Sequence, residues 1–171
     1  MITVSPGTPE DFADLNAFTA AAIGPAFYRP DLTAEQVAEN DRIASIARQV
    51  ALDAIEHPER AVFVAKDGET LAGFVILDFK DAAMPELDWL IVAPAYQGKG
   101  VRQGSGGHAA GRLMEHALAF IGEGRPVQLG VIHFNARAIA FYKKWGFEDT
   151  GRIVGRHKIP RRLMVRAVRI S

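Results

Sequence analysis

The chain has 171 residues, of which 49% are hydrophobic and 23% are charged, a composition typical of one globular domain and unlike that of a disordered chain. Its 20 Lys and Arg residues balance its 20 Asp and Glu residues, so the chain as a whole is not expected to bind nucleic acid. It contains no cysteine, which excludes disulfides, thiolate metal sites and a cysteine nucleophile.

The hydropathy of the chain argues against export and membrane insertion. The first residues, MITVSPGTPEDF, lack the basic stretch and the apolar core of a signal peptide. No apolar run approaches the roughly 18 residues that a membrane-spanning helix requires. We therefore expect a cytoplasmic protein with no membrane partner.

Hydrophobic periodicity and turn residues define the predicted elements. Thr33 and Gln36 form a capping box at the start of one helix, whereas Gly24-Pro25 is expected to end the helix before it. In chain order the patterns predict strand 2–4, a helix from residue 8 or 9 to 23, helix 33–56, strands 61–65, 71–79 and 86–92, helix 111–121, strand 127–132, helix 135–145, and strands 147–154 and 162–169.

This order, β-α-α-β-β-β-α-β-α-β-β, predicts an α/β fold in which a mixed, largely antiparallel sheet carries helices on both faces. Residues 1–171 are expected to form a single domain, because no linker or low-complexity tract interrupts them.

A glycine-rich stretch, QGKGVRQGSGGHAAG, lies between the strand at 86–92 and the next helix. Backbone N–H groups of such a turn, at the positive end of a helix, favour an anion. A P-loop is excluded because Lys99 is followed by Gly100 and not by Ser or Thr. A dinucleotide fingerprint would need an acidic residue after the next strand, which instead ends in Ile132-His133.

Two motifs carry a more specific resemblance. The segment ELDWLIVAPAYQGKGV, residues 86–101, resembles the central strand and pyrophosphate loop, Q/R-x-x-G-x-G/A, of the GNAT superfamily of N-acetyltransferases. The segment NARAIAFYKKWGF, residues 135–147, is similar to the superfamily's N-x-x-A-x-x-F-Y-x-x-x-G-F helix and strand. The resemblance implies a GNAT-like fold and transfer of acetyl from acetyl-CoA to a primary amine of a small molecule or peptide by direct attack, without a metal.

The resemblance also implies which residues hold acetyl-CoA. Main-chain groups of the central strand would pair with the pantetheine arm, and the glycine loop would hold the pyrophosphate. The implied binding residues are Ile91, Val92, Gln97, Gly98, Lys99, Gly100, Val101, Ala110, Gly111, Asn135 and Tyr142.

The loop departs from the family pattern at residues 102–109, RQGSGGHA, which are in excess. Joining QGKGV directly to AGRLMEHAL would complete the motif, so residues 97–101 are favoured as the phosphate nest. The alternative is that the excess residues displace the first copy or extend the helix backwards, with Ser105 as its cap. In either arrangement the start of the helix is expected to lie farther from the phosphates than usual, so weakened or lost cofactor binding stays open.

Tyr142 matches the tyrosine that commonly protonates the departing thiolate in this superfamily, and Asn135 matches a helix cap that often contacts the cofactor. Glu86 matches a glutamate that serves as general base in some members, often through water. Asp88 lies on the same strand face by alternation. A second base position, five residues before the asparagine, is Gly130 here, so that role is absent.

Two other functions stay open: an acyl-CoA-binding or degenerate non-catalytic module, and an interaction protein whose basic C-terminal run meets an acidic partner. A homodimer is compatible with the sequence. The acceptor is expected to contact the first two helices and the last hairpin. An aromatic-lined, cation-accepting pocket there, or solvated helix faces, would explain five residues equally well: Phe27, Tyr28, Glu35, Glu39 and Asp41.

Overall fold

A computed structural model describes residues 1–97 and 108–168. Seven strands of this part of the chain form one sheet in the order β1-β2-β3-β4-β5-β7-β6. The elements are β1 (Ile2–Pro6), α1 (Leu15–Phe27), α2 (Ala34–Glu56), β2 (Arg60–Asp67), β3 (Thr70–Asp78), β4 (Glu86–Val92), α3 (Ala109–Ile121), β5 (Val127–Ile132), α4 (Ala136–Lys144), β6 (Phe147–Val154) and β7 (Arg161–Arg166).

The predicted fold class and element order are confirmed. All strand pairs are antiparallel except β4 and β5, which are parallel. Helices α1 and α2 pack on one face around a core that includes Phe74 and Ile76. Helices α3 and α4 pack on the other face around Leu113, Met114 and Phe147. No helix of residues 1–97 or 108–168 is long and apolar enough to cross a membrane.

The first predicted helix is wrong at both ends. Residues Pro9–Phe12 form a separate 3-10 turn, and α1 passes through Gly24-Pro25 to end at Phe27. Pro25 lies in the last turn, where its missing N–H removes only one helical hydrogen bond. The Nδ2 of the buried Asn40 donates to the carbonyl of Phe27 at 2.8 Å, which satisfies an oxygen that a helix end leaves unpaired.

Other boundaries differ by a few residues. The capping box of Thr33 and Gln36 is present, whereas α3 begins at Ala109 and not at residue 111. Strand β7 ends at Arg166, three residues before the predicted end. Residues 98–107 lie outside the described residues, and with them Gly98, Lys99, Gly100, Val101 and residues 102–107 of the excess loop.

The sheet opens between β4 and β5. The two strands are joined by one residue pair, Glu86 with Gln128. Beyond it, β4 continues along β3 while β5 continues along β7. The two strands therefore share only one end, and the gap between them leaves space for a ligand.

Candidate active site

Two cavities meet at the opening between β4 and β5. The smaller one has a volume of about 390 Å³ and lies between these strands and the β6–β7 hairpin. The larger one has a volume of about 670 Å³ and lies between the end of α1 and helix α4. The residues that line both cavities are Phe27, Leu90, Ile91, Asn135, Ala138 and Tyr142.

The larger cavity is lined by apolar groups and cations. Arg29, Arg137 and Lys144 line it, and no Asp or Glu occurs among its described lining residues. Arg29 is already paired with Asp31 at 3.1 Å, and its guanidinium lies 4.8 Å from the centre of the Phe134 ring. Arg137 and Lys144 are the cations of this wall that form no ion pair with another described residue, so they can bind an anion.

The end of β4 lies at this cavity. Ile91 and Val92 are buried in the strand and line it, as does the half-buried Gln97. The Nε2 of Gln97 donates to the carbonyl of Val92 at 2.6 Å and to the carbonyl of Ala22 at 3.4 Å. Gln97 thus fixes the start of the glycine-rich loop against β4 and α1 through its side chain.

Helix α3 begins at the same cavity. His108 is its N-cap residue, and Ala110 in the first turn lines the cavity together with His108. The first N–H groups of a helix have no intrahelical acceptor and carry partial positive charge. Gly111 lies one residue farther along and does not line the cavity; a side chain there would face Trp145 at 3.8 Å.

Asn135 and Tyr142 stand at the junction of the two cavities. The Oδ1 of Asn135 accepts from the N–H of Ala138 at 3.2 Å, which caps α4 as predicted. Burial raises the pKa of Tyr142 to about 12, so its hydroxyl keeps its proton at neutral pH. That hydroxyl has no hydrogen-bond partner among residues 1–97 and 108–168.

Glu86 lines the smaller cavity at the closed end of the opening. Burial, followed by the nearby charges of Asp88 and Asp78, raises its pKa from 4.5 to about 7, against the opposing effect of Arg60. Arg60 is held by Asp78 at 3.4 Å behind the cavity. A carboxyl with a pKa near neutrality can both take up and release a proton under physiological conditions.

Asp88 shares the cavity with Glu86, and β4 bulges against β3 at this position. Leu87 pairs with Leu77 and Trp89 pairs with Ile76, so Asp88 is the extra residue of β4 opposite β3. Asp88 follows Glu86 by two residues, so strand alternation already accounts for the shared face, and both carboxylates line the smaller cavity. Burial also raises the pKa of Asp88, against the opposing charges of Arg60 and Arg161.

The helix residues that suggested a cation-accepting pocket have other roles. Phe27 lines both cavities, while the hydroxyl of Tyr28 donates to Asp41 at 2.6 Å. Glu39 accepts from the N–H of Lys158 at 2.8 Å and Glu35 lies 3.8 Å from the same residue's Nζ. The three helix carboxylates line neither cavity; Glu35 and Glu39 bind the β6–β7 hairpin to α2, and Asp41 binds Tyr28.

Sequence reasoning missed Arg161 and His157, which line the smaller cavity. Arg161 belongs to the C-terminal basic run, and His157 is one of the histidines to which the sequence assigns no role. No local pattern marks either residue as part of a binding site. Only the pairing of Arg161 in β7 with Ile132 in β5 brings them to the site. The described residues contain no group of three His, Asp or Glu side chains that could hold a metal ion.

Residues 25–147 match the model of the Acetyltransferase (GNAT) family. The chain is 32% identical over 142 residues to an uncharacterized N-acetyltransferase of Mycobacterium tuberculosis, covering 81% of this chain and 85% of that protein. The structure of PaiA N-acetyltransferase from Thermoplasma acidophilum in complex with coenzyme A matches with a TM-score of 0.75 at 18% identity, over 98% of this chain and 99% of that one. Aminoglycoside 6'-acetyltransferase type Ii matches with a TM-score of 0.65 at 16% identity, over 99% of each chain.

Proposed function

Because the chain belongs to the GNAT family of acetyltransferases, we propose that it transfers the acetyl group of acetyl-CoA to a primary amine of a small molecule or peptide by direct attack. One observation carries the proposal: the gap between β4 and β5 joins a cavity walled by cations to a cavity walled by carboxylates, with Tyr142 at the junction. Both halves of the sheet contribute to the site, so residues 1–171 act as one domain.

Acetyl-CoA fits the larger cavity by size and charge. Ligand cavities commonly measure about 300–1,000 Å³, and this one measures about 670 Å³. Arg137 and Lys144 would hold phosphate groups, assisted by the N–H groups at the start of α3 near Ala110. Ile91 and Val92 lie on the strand edge that leaves β5, where main-chain groups are available to the amides of the pantetheine arm.

Bound acetyl-CoA supplies an acetyl group activated as a thioester. The Oη of Tyr142 holds a proton that it can donate to the sulfur as negative charge develops there. A thiol has a pKa of about 8.5, well below the value of about 12 for Tyr142. Full transfer of the proton from Tyr142 is therefore uphill, and Tyr142 acts chiefly by donating a hydrogen bond to the thiolate. The attacking nitrogen loses its remaining excess proton as the amide forms, and the thiolate takes up one proton as the C–S bond breaks.

Glu86 serves as the general base. An alkyl ammonium has a pKa of about 10 and must lose a proton before its nitrogen can attack. With a pKa of about 7, the Glu86 carboxylate is ionised in a large fraction of molecules at neutral pH and takes up that proton directly or through water. Asp88 keeps a second carboxylate in the cavity and favours binding of the ammonium form.

Two measurements on the full chain test the proposal. Acetyl-CoA at millimolar concentration is expected to raise the melting temperature, because a ligand that binds only the folded state stabilises it. Thiol release with acetyl-CoA and a panel of primary amines is then expected to exceed the rate of thioester hydrolysis. A melting temperature that acetyl-CoA leaves unchanged, or binding without transfer to any amine, would contradict the proposed function.

A further inference from the structure

Arg161 lines the smaller cavity and lies beside Gly130. The two residues lie on neighbouring strands, where Arg161 pairs with Ile132 and Leu163 pairs with Gly130. A Cβ atom at position 130 would lie 3.7 Å from the Cβ and 4.0 Å from the Cδ of Arg161, and 3.0 Å from Val154. The stem of Arg161 therefore packs along the bare backbone of Gly130, at the position where a second general base is absent.

The guanidinium of Arg161 lacks a direct partner in the described part of the chain. It lies 5.5 Å from the centre of the Phe27 ring, and its Nε is buried without a hydrogen bond. The carboxylates of Glu39 and Asp88 act on it by charge, but no carboxylate of a described residue lies within ion-pair distance. Arg161 is half-buried, and a partly buried cation whose Nε has no hydrogen-bond acceptor is unfavourable; an anionic ligand would reduce that cost.

The remaining wall of this cavity is mixed. Glu86 and Asp88 supply negative charge from β4, and apolar side chains fill the space between β4 and the β6–β7 hairpin. These apolar residues are Phe27, Ile43, Trp89, Val154 and Leu163. The cavity thus presents two carboxylates, the guanidinium of Arg161, the imidazole of His157 and an apolar surface within about 390 Å³, a volume suited to a small molecule.

We propose that the acceptor is a small amine that carries one carboxylate on an apolar body, and that Arg161 binds this carboxylate while Glu86 and Asp88 face the amine. The assignment of substrate class rests on the proposed acetyl transfer, and it makes Arg161 a specificity-determining residue. A guanidinium matches a carboxylate in shape and charge and can hold it through two parallel hydrogen bonds.

Charge favours a carboxylate over the other ligands that the cavity could hold. A phosphate carries nearly two negative charges, and the single guanidinium already feels the carboxylates of Glu39 and Asp88. A diamine or polyamine would place a second cation in the cavity and leave Arg161 without a counter-ion. In an acceptor that carries one amine and one carboxylate, the ammonium faces Glu86 and Asp88 while the carboxylate faces Arg161, so each charge meets one of opposite sign.

Matched pairs of acceptors test the proposal on the full chain. The pairs are L-phenylalanine with phenethylamine, L-leucine with 3-methylbutylamine, and L-methionine with 3-(methylthio)propylamine, each assayed by thiol release. At least one amino acid is expected to exceed its decarboxylated partner in kcat/KM by about 10-fold or more, as a charge-assisted hydrogen-bonded pair would give. Equal or higher kcat/KM for the decarboxylated partner in every pair overturns the proposal.

Variants of Arg161 test whether this residue causes the preference for an acceptor that carries a carboxylate. Arg161→Gln is expected to reduce the ratio of kcat/KM within the preferred pair to about 3-fold or less, while Arg161→Lys retains part of it because the charge remains. Arg162→Gln is the matched control, since Arg162 pairs with Asp149 at 2.8 Å and lines neither cavity. A ratio that Arg161→Gln and Arg161→Lys leave unchanged contradicts the role of Arg161.

A binding measurement separates this inference from the proposed function. The carboxylates 3-phenylpropanoate and 4-methylpentanoate lack an amine, so their binding does not depend on acetyl transfer. At least one is expected to raise the melting temperature of the wild-type chain and not that of Arg161→Gln, even if no amine is acetylated. No shift with either carboxylate overturns the inference, whereas a failure of acetyl-CoA to bind counts only against the proposed function.

Discussion

The two cavities at the opening of the sheet differ most in charge. The larger one is lined by Arg29, Arg137 and Lys144 and by no carboxylate among the described residues. The smaller one contains two carboxylates, Glu86 and Asp88. The gap in the sheet thus joins a cavity lined by cations to one in which two carboxylates lie together with Arg161 and His157.

This difference shows how two substrates of unlike charge can be bound without competing. A phosphate-bearing ligand is repelled from the carboxylates of the smaller cavity, and an ammonium is repelled from the cations of the larger one. The reacting groups meet only where the cavities join, at Asn135 and Tyr142. Substitutions in each cavity and at the junction separate the contributions of these groups.

The largest effect is expected from Glu86→Gln on the side of the carboxylates. Loss of a general base lowers kcat/KM by about 100-fold or more at pH 8. In the wild-type chain, kcat/KM rises as the pH passes through about 7, because Glu86 is protonated and inactive below its pKa. The variant is expected to lack that rise, which a pH profile of thiol release measures.

Asp78→Asn is the control for assigning the rise of kcat/KM with pH to Glu86. Asp78 raises the pKa of Glu86 and holds Arg60, which lowers it, so the variant should shift the midpoint of the profile to lower pH while kcat/KM at pH 8 is retained. A midpoint that stays in place would show that another group titrates. Glu86 also holds a proton in the folded chain, but not in the unfolded chain, between pH 4.5 and about 7. The free energy of unfolding of the wild-type chain is therefore expected to fall, relative to that of Glu86→Gln, as the pH rises through that range.

At the junction, Tyr142→Phe is expected to lower kcat by about 10- to 100-fold. The reason is the loss of a hydrogen bond to a developing charge, worth about 1.5–3 kcal/mol. Affinity for acetyl-CoA, measured by titration calorimetry, should be unchanged because the ring and its packing against Phe147 remain. An unchanged kcat would remove Tyr142 from the reaction.

A smaller effect is expected on the side of the cations. Lys144→Ala should weaken acetyl-CoA binding about 2- to 5-fold at low salt, the range for an exposed charge pair, and the difference should shrink as salt is added. Binding of acetyl-pantetheine, which has no phosphates, should not change. Lys143→Ala is the matched control, because Lys143 is exposed on the same helix and lines neither cavity; equal losses in both variants would mean a non-specific charge effect.

The smallest effect is expected from substitutions of Asn135, which lines both cavities. Asn135→Ala removes the cap of α4 and should lower the free energy of unfolding by about 1 kcal/mol in urea titrations. Asn135→Ser retains a capping oxygen and should keep the stability. If Asn135→Ser nevertheless weakens acetyl-CoA binding, the amide contacts the ligand directly; if both variants bind normally, Asn135 acts only as a cap.

Much of the fold could be predicted from local patterns. The capping box at Thr33, the hairpin between β2 and β3 and the strand Glu86–Val92 follow from residues that are neighbours in the chain. The family resemblance predicted from two motifs is confirmed, because residues 25–147 match that family's model. Such motifs are contiguous since one strand, one loop and one helix are expected to contact the same ligand.

Other features could not be predicted because distant contacts decide them. Helix α1 continues through Gly24-Pro25 to Phe27, where Asn40 of α2 binds the carbonyl at the helix end. The bulge at Asp88 depends on the pairing of β4 with β3, and the pattern of one strand does not predict it. Phosphate binding by the glycine-rich loop remains a prediction, since Gly98, Lys99, Gly100 and Val101 lie outside the described residues.

The sequence by itself determined the order of the elements, the family and the expected cofactor, because these depend on short segments with their own turn and capping residues. Only the tertiary structure decided the acceptor side. Arg161, Gly130 and Phe27 are far apart in the chain and meet because β7 pairs with β5 and α1 packs over the opening. The pKa of Glu86 likewise depends on burial and on the charges that the fold places around it, which no local pattern specifies.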